Sequence, residues 1–90
     1  MPRYFFHVEN GESHTDAEGT ELSGLESARE HAVSYFADIL RDAARSFWDS
    51  GDLVMRVTNE TGLVFFTLHF GAVIAAAGGS GASPPIPRPA

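Results

Sequence analysis

Apolar residues recur along this chain with two periods, and the two periods predict its elements. Residues 3–9 read as a strand with Tyr4, Phe6 and Val8 on one face and Arg3, Phe5 and His7 on the other. Asn10-Gly11 predicts a type I′ hairpin turn, because both residues tolerate positive φ, and a short return strand around Glu12 to Thr15 should follow. Asp16 to Gly19 reads as a second turn, and Thr20-Glu21-Leu22 leads into a helix. Ser23-Gly24-Leu25-Glu26 fits the S-x-x-E capping box. From Leu25 to Phe47 the period lengthens, and Leu25, Ala28, Ala32, Phe36, Ile39, Leu40, Ala43 and Phe47 form one stripe, with Val33 and Tyr35 at its margins. Arg29 breaks the stripe and is expected to snorkel. Asp38–Arg41 and Asp42–Arg45 are i,i+3 pairs on the outer face. Gly51 suits a left-handed cap at the helix end. Leu53–Thr58 and Leu63–Phe70 are then two strands joined by the turn-forming Asn59-Glu60-Thr61-Gly62.

These elements predict an α+β fold: β-hairpin, long amphipathic helix, β-hairpin, with the helix on one face of a small antiparallel or mixed sheet. Leu53, Met55, Val57, Val64, Phe66, Leu68 and Phe70 should meet the helix together with Tyr4, Phe6 and Val8. One helix covers one face only. Phe5, His7, Val54, Arg56, Leu63, Phe65 and His69 fall on the other, and the apolar members of that set predict association through it, as a homodimer or with a protein partner.

Past residue 70 the composition changes. Ala72 to Ala77 is small and apolar, Gly78 to Ser83 reads as a linker, and Pro84-Pro85-Ile86-Pro87-Arg88-Pro89 favours polyproline II. The expected organisation is a single domain over 1–70 and a flexible tail over 71–90. Pro84, Pro85, Ile86, Pro87 and Arg88 are its candidate protein-binding residues, since such a segment docks in aromatic grooves at low entropic cost.

Charge narrows the partners. The chain has 90 residues, a net charge of −6, and six basic side chains that are all arginine. Seven carboxylates (Glu9, Glu12, Asp16, Glu18, Glu21, Glu26, Glu30) face a single Arg29 over residues 9–30, a surface that repels phosphate and disfavours nucleic acid. A basic protein, or a larger assembly, is the partner it suits. No apolar run approaches the ~20 residues of a membrane span, and the opening carries no secretory signature, so a cytoplasmic location is expected. The lack of cysteine removes disulfides and thiolate chemistry.

The opening Met1-Pro2-Arg3-Tyr4-Phe5-Phe6-His7-Val8, then Asn10-Gly11, then Asp16-Ala17-Glu18-Gly19-Thr20-Glu21-Leu22 before an Ala/Arg/Glu helix, resembles a family of short uncharacterised proteins of rhizobia and related alphaproteobacteria. That resemblance covers residues 1–70 and implies no catalytic residues. In arrangement only, the acidic strand–turn–strand before a helix is similar to the amino-terminal domain of HicB-type antitoxins, which implies neutralisation of a basic protein.

Candidate chemistry rests on His7, His14, His31 and His69. His7 and His69 share the mixed face and would meet if the first and last strands were neighbours, where a carboxylate such as Asp16 would complete a divalent-metal set. No helical i,i+4 pair or H-E-x-x-H run accompanies them. Ser23 reads as a cap and Ser13 lacks a nucleophile elbow. The expectation is therefore a non-catalytic binding or accessory module without cofactor or metal. A metal-dependent enzyme is the remaining alternative.

Overall fold

The computed structural model describes residues 1–75, and the tail candidates Pro84 to Arg88 lie outside them. Five strands and two helices follow in the order β1 (Arg3–Glu9), β2 (Ser13–His14), β3 (Thr20–Glu21), α1 (Leu25–Asp42), α2 (Phe47–Ser50), β4 (Asp52–Thr58) and β5 (Val64–Gly71). The fold is α+β, and every strand pairing is antiparallel. β1 and β4 lie side by side at the centre, β5 flanks β4, and both β2 and β3 flank β1.

The alternation of β1 and β4 sorts their side chains as their sequences require. Tyr4, Phe6 and Val8 are buried beside Leu53, Met55 and Val57, and the last three are fully enclosed. Burying each such side chain stabilises the fold by about 1.5–3 kcal/mol relative to leaving it exposed. Ala28, Ala32 and Phe36 bring α1 onto this face, and Ala43 and Phe47 continue the layer beyond the end of α1. Arg29, the polar residue in the stripe, is exposed.

Local details differ from the sequence expectations in four places. The first turn has three residues: Glu9 pairs with Ser13, and Asn10 N–H donates to Glu12 C=O at 3.1 Å. Only Gly11 there has positive φ, so the type I′ turn does not form. The capping box does not form either. Gly24 is the N-cap in an extended conformation without a side-chain cap, and the Ser23 hydroxyl sits one residue too early, bonded at 2.6 Å to the Ser27 hydroxyl.

The predicted helix is also interrupted. α1 stops at Asp42, a turn follows, and Gly51 caps the separate α2 with φ 75° and an N–H bond to Phe47 C=O. Asp38 and Arg41 form their ion pair at 3.1 Å.

The fourth difference lies in β5. Val57 pairs with Phe66 but Thr58 pairs with Val64, so one residue of β5 is extra, a β-bulge at Phe65. The bulge turns the Phe65 ring against buried Tyr4, at 5.5 Å between centroids, instead of beside Phe5 as strict alternation requires. From Phe66 onward the expected parity holds: Phe66 and Leu68 pack against the core, while Thr67 and His69 lie in register with Arg56 and Val54 on the opposite face.

Candidate interaction surfaces of the sheet

The face away from α1 carries a set of polar pairs around two apolar side chains. Phe5 and Val54 are half-buried there. Arg56 donates to Glu9 at 3.0 Å, His69 bonds Asp52 at 2.8 Å, and Arg3 reaches both Glu21 and the Glu18 carbonyl. Gly71 leaves room for the His69–Asp52 pair, because a Cβ there would lie 3.0 Å from the imidazole. His7 stacks on Phe5 with rings 9° from parallel. Its Nδ1 accepts the Asp16 N–H at 3.1 Å, so the ring proton sits on Nε2 and is donated to Thr58 Oγ1 at 3.0 Å. The Thr58 hydroxyl in turn donates to the Asn59 carbonyl.

Of the residues expected to make an apolar sheet face, the structure therefore leaves Phe5, His7, Val54, Arg56 and His69 together but laced with polar contacts. Phe65 is displaced by the bulge, and Leu63 is exposed just before β5. His7 and His69 do not meet, because β4 runs between β1 and β5. Among the described residues no three His, Asp or Glu side chains are grouped to hold a metal ion.

Hydrogen-bond parity distinguishes the two edges of the sheet. In an antiparallel ladder, alternate residues turn N–H and C=O to the same neighbour. On β1 the even residues point away from β4. Pro2 accepts from Leu22, Tyr4 pairs with Thr20, Phe6 donates to Asp16 Oδ2 at 3.1 Å, and Val8 pairs with His14. Asp16 thus stands in for a strand where β2 and β3 leave a gap.

Its other oxygen accepts the N–H groups of Glu18 and Gly19, each at 3.0 Å. Partial burial raises the carboxyl's pKa, but bonds from Gly19, Phe6 and Glu18, with His7 nearby, outweigh it and hold the group below the ordinary aspartate range. Gly19 makes the turn possible: its φ is +73°, and a Cβ would lie 2.8–2.9 Å from Arg3 Cγ and Phe5 Cε2.

Among the described residues the β5 edge has no such cover. Ala72 N–H donates to Gly51 C=O at 2.9 Å, two residues beyond the boundary expected at 70, and this sets the parity of the strand. Phe66, Leu68 and Phe70 therefore bond β4, and the backbone groups of Thr67, His69 and Gly71 point outward along the edge. Apolar side chains crowd the same margin. Leu63 is 61% exposed, Phe65 41%, Phe70 46% and Ile74 76%. Phe70 leans on Phe47, whose other side meets the exposed Trp48 edge-on.

One open cleft of about 930 Å³ lies between α1 and the 14–20 loop, and His14, Asp16, His31 and Tyr35 are among its lining residues. The His31 ring packs on Phe6 at 4.9 Å, and both Asp16 oxygens are engaged by backbone donors, so these two side chains already serve the fold. None of the described helices is long and apolar enough to cross a membrane.

Sequence patterning placed Phe5, His7, Val54, Arg56 and His69 on one face but indicated neither the Asp16 edge bond nor the bulge that moves Phe65. The adjacent Phe65-Phe66 pair, which breaks strict alternation, is the one local sign of the latter. Residues 3–71 match the family described as Domain of unknown function (DUF6894), and the chain belongs to that family. The family match agrees with the resemblance to an uncharacterised domain family carried by the opening and Glu-Gly-Thr-Glu-Leu blocks. No curated protein and no solved structure matches the chain.

Proposed function

We propose that this member of the domain family is a small protein-interaction module that receives a partner's strand along the edge of β5. The observation that carries the reading is the contrast in cover: β1 has acceptors or strands along its outer side, whereas β5 turns Thr67, His69 and Gly71 outward beside exposed Phe65 and Phe70. Added strands bind through main-chain bonds and gain selectivity from alternate side chains. A long apolar edge without lysine or proline lacks the charges and prolines that keep edges from pairing, and its bulge at Phe65 lies before the outward row of Thr67, His69 and Gly71. In this reading the module is non-catalytic and works in the cytoplasm. His7 bonds the edge loop to β4, and His69 bonds Asp52.

The test is co-purification of the tagged chain and its Thr67→Pro variant from native cells. Proline removes an outward N–H while leaving the bonds between β4 and β5 in place. Partners should be recovered with the wild type and lost with the variant, while circular dichroism shows both folded. Equal recovery by the two would refute the edge as the binding site.

A further inference from the structure

We infer that the strand received by β5 is β5 of a second copy of the chain, paired antiparallel about a two-fold axis through Leu68. This inference rests on the edge reading above and names its occupant. The outward positions Thr67 and His69 lie symmetrically about Leu68. In this register Thr67 of each copy exchanges main-chain bonds with His69 of the other, and Gly71 of each lies opposite the bulged Phe65 of the other, where the ladder ends.

The side chains obey the same symmetry. On the helix side Leu68 faces its own counterpart, and Phe66 of one copy faces Phe70 of the other. Phe70 is 46% exposed in the single chain although Phe66 and Leu68 beside it touch the core, so a facing aromatic covers surface that α1 and α2 leave open.

Charge selects a second copy over a basic partner at this edge. From Leu63 to Ala75 the sole ionisable side chain is His69, which is bonded to Asp52, whereas the chain as a whole carries −6. A basic partner finds no carboxylate on the outward row of β5. Two copies, which repel elsewhere, meet here without like charges opposed. The carboxylates Glu12, Asp16 and Glu18 are grouped on the far edge, beyond β1.

The experiment is sedimentation equilibrium on the purified full chain up to several hundred micromolar, with hydrogen exchange read residue by residue. The expected result is a species of twice the 9.7 kDa chain mass. Amides of Thr67 and His69 should gain protection as concentration rises, while Phe66, Leu68 and Phe70 stay protected throughout.

A double variant, Thr67→Arg with His69→Arg, opposes like charges at both symmetric pairs and should weaken association about tenfold. Thr67→Glu with His69→Arg opposes unlike charges and should restore it. Both pairs of changes lie on the exposed side of β5, and circular dichroism confirms the fold. A chain that stays monomeric, or a dimer indifferent to both double variants, overturns the inference. If the chain is monomeric yet Thr67→Pro still abolishes recovery of partners from native cells, the edge reading survives with a different occupant. If Thr67→Pro changes nothing there either, both fall.

Discussion

The two edges of this sheet are closed and open by the same few residues of backbone parity. On β1 each outward N–H is met within twenty residues of sequence: the chain turns at Gly11, pairs briefly, crosses the gap with the Asp16 carboxylate, turns at Gly19 and pairs again. On β5 the chain runs past Gly71 without turning back among the described residues. The difference shows that two-residue strands suffice to close an edge when a carboxylate supplies the missing acceptor. It also shows why the acidic region is where it is. Asp16 works as a fixed acceptor for N–H groups, Glu21 holds Arg3 of β1, and Glu9 holds Arg56 of the neighbouring β4.

Breaking the closed edge should have the largest effect. Gly19→Val forces a β-branched residue to positive φ and drives its Cβ into Arg3 and Phe5. Strain and overpacking each cost about 1–3 kcal/mol, so urea denaturation should show a loss of about 3 kcal/mol. Asp16→Ala should follow, at about 2–3 kcal/mol for bonds to a charged acceptor. It also opens the edge that Asp16 closes. The Phe6 amide should exchange faster, and new association through β1 should appear that Thr67→Pro does not suppress.

A pH titration isolates the charge. Because the folded pKa of Asp16 lies below its unfolded value, the stability it contributes is fully present above the unfolded value and lost as pH falls through the folded one. Urea denaturation midpoints of the wild type and Asp16→Asn should therefore differ at pH 6 and draw together as pH falls below the ~3.9 of a free aspartate. A constant gap down to pH 2 would assign the effect to shape alone. The smallest effect belongs to Ser23→Ala, within about 0.5 kcal/mol, because exposed Ser23 caps no helix N–H and bonds only the Ser27 hydroxyl. A loss near 1 kcal/mol would restore it as a cap.

What could be read in the sequence was whatever depends on near neighbours. The helical stripe appears as buried Ala28, Ala32 and Phe36, Gly51 adopts its left-handed cap, Asn59 and Gly62 make the second hairpin, and Asp38 meets Arg41. What escaped depends on partners far along the chain. Nothing near Asp16 indicates that its carboxylate bonds the Phe6 amide ten residues back. The pairing of β1 with β4, across the whole helix, decides that His7 meets Thr58 and not His69. The bulge moved Phe65 off its expected face because a strand's parity is cumulative, so one extra residue reassigns every position on the far side of it.

That extra residue makes an unequal map of tolerated deletions along β5. Removing Phe65 would let Thr58–Val64 and Val57–Phe66 become consecutive rungs, shortening the strand without shifting any pairing from Phe66 to Gly71. Losing any single residue between Phe66 and Phe70 would instead exchange the core and outward sides of all that remains between the gap and the bulge. Natural length variation in this strand is thus expected to gather at position 65, where the ladder already holds a spare residue.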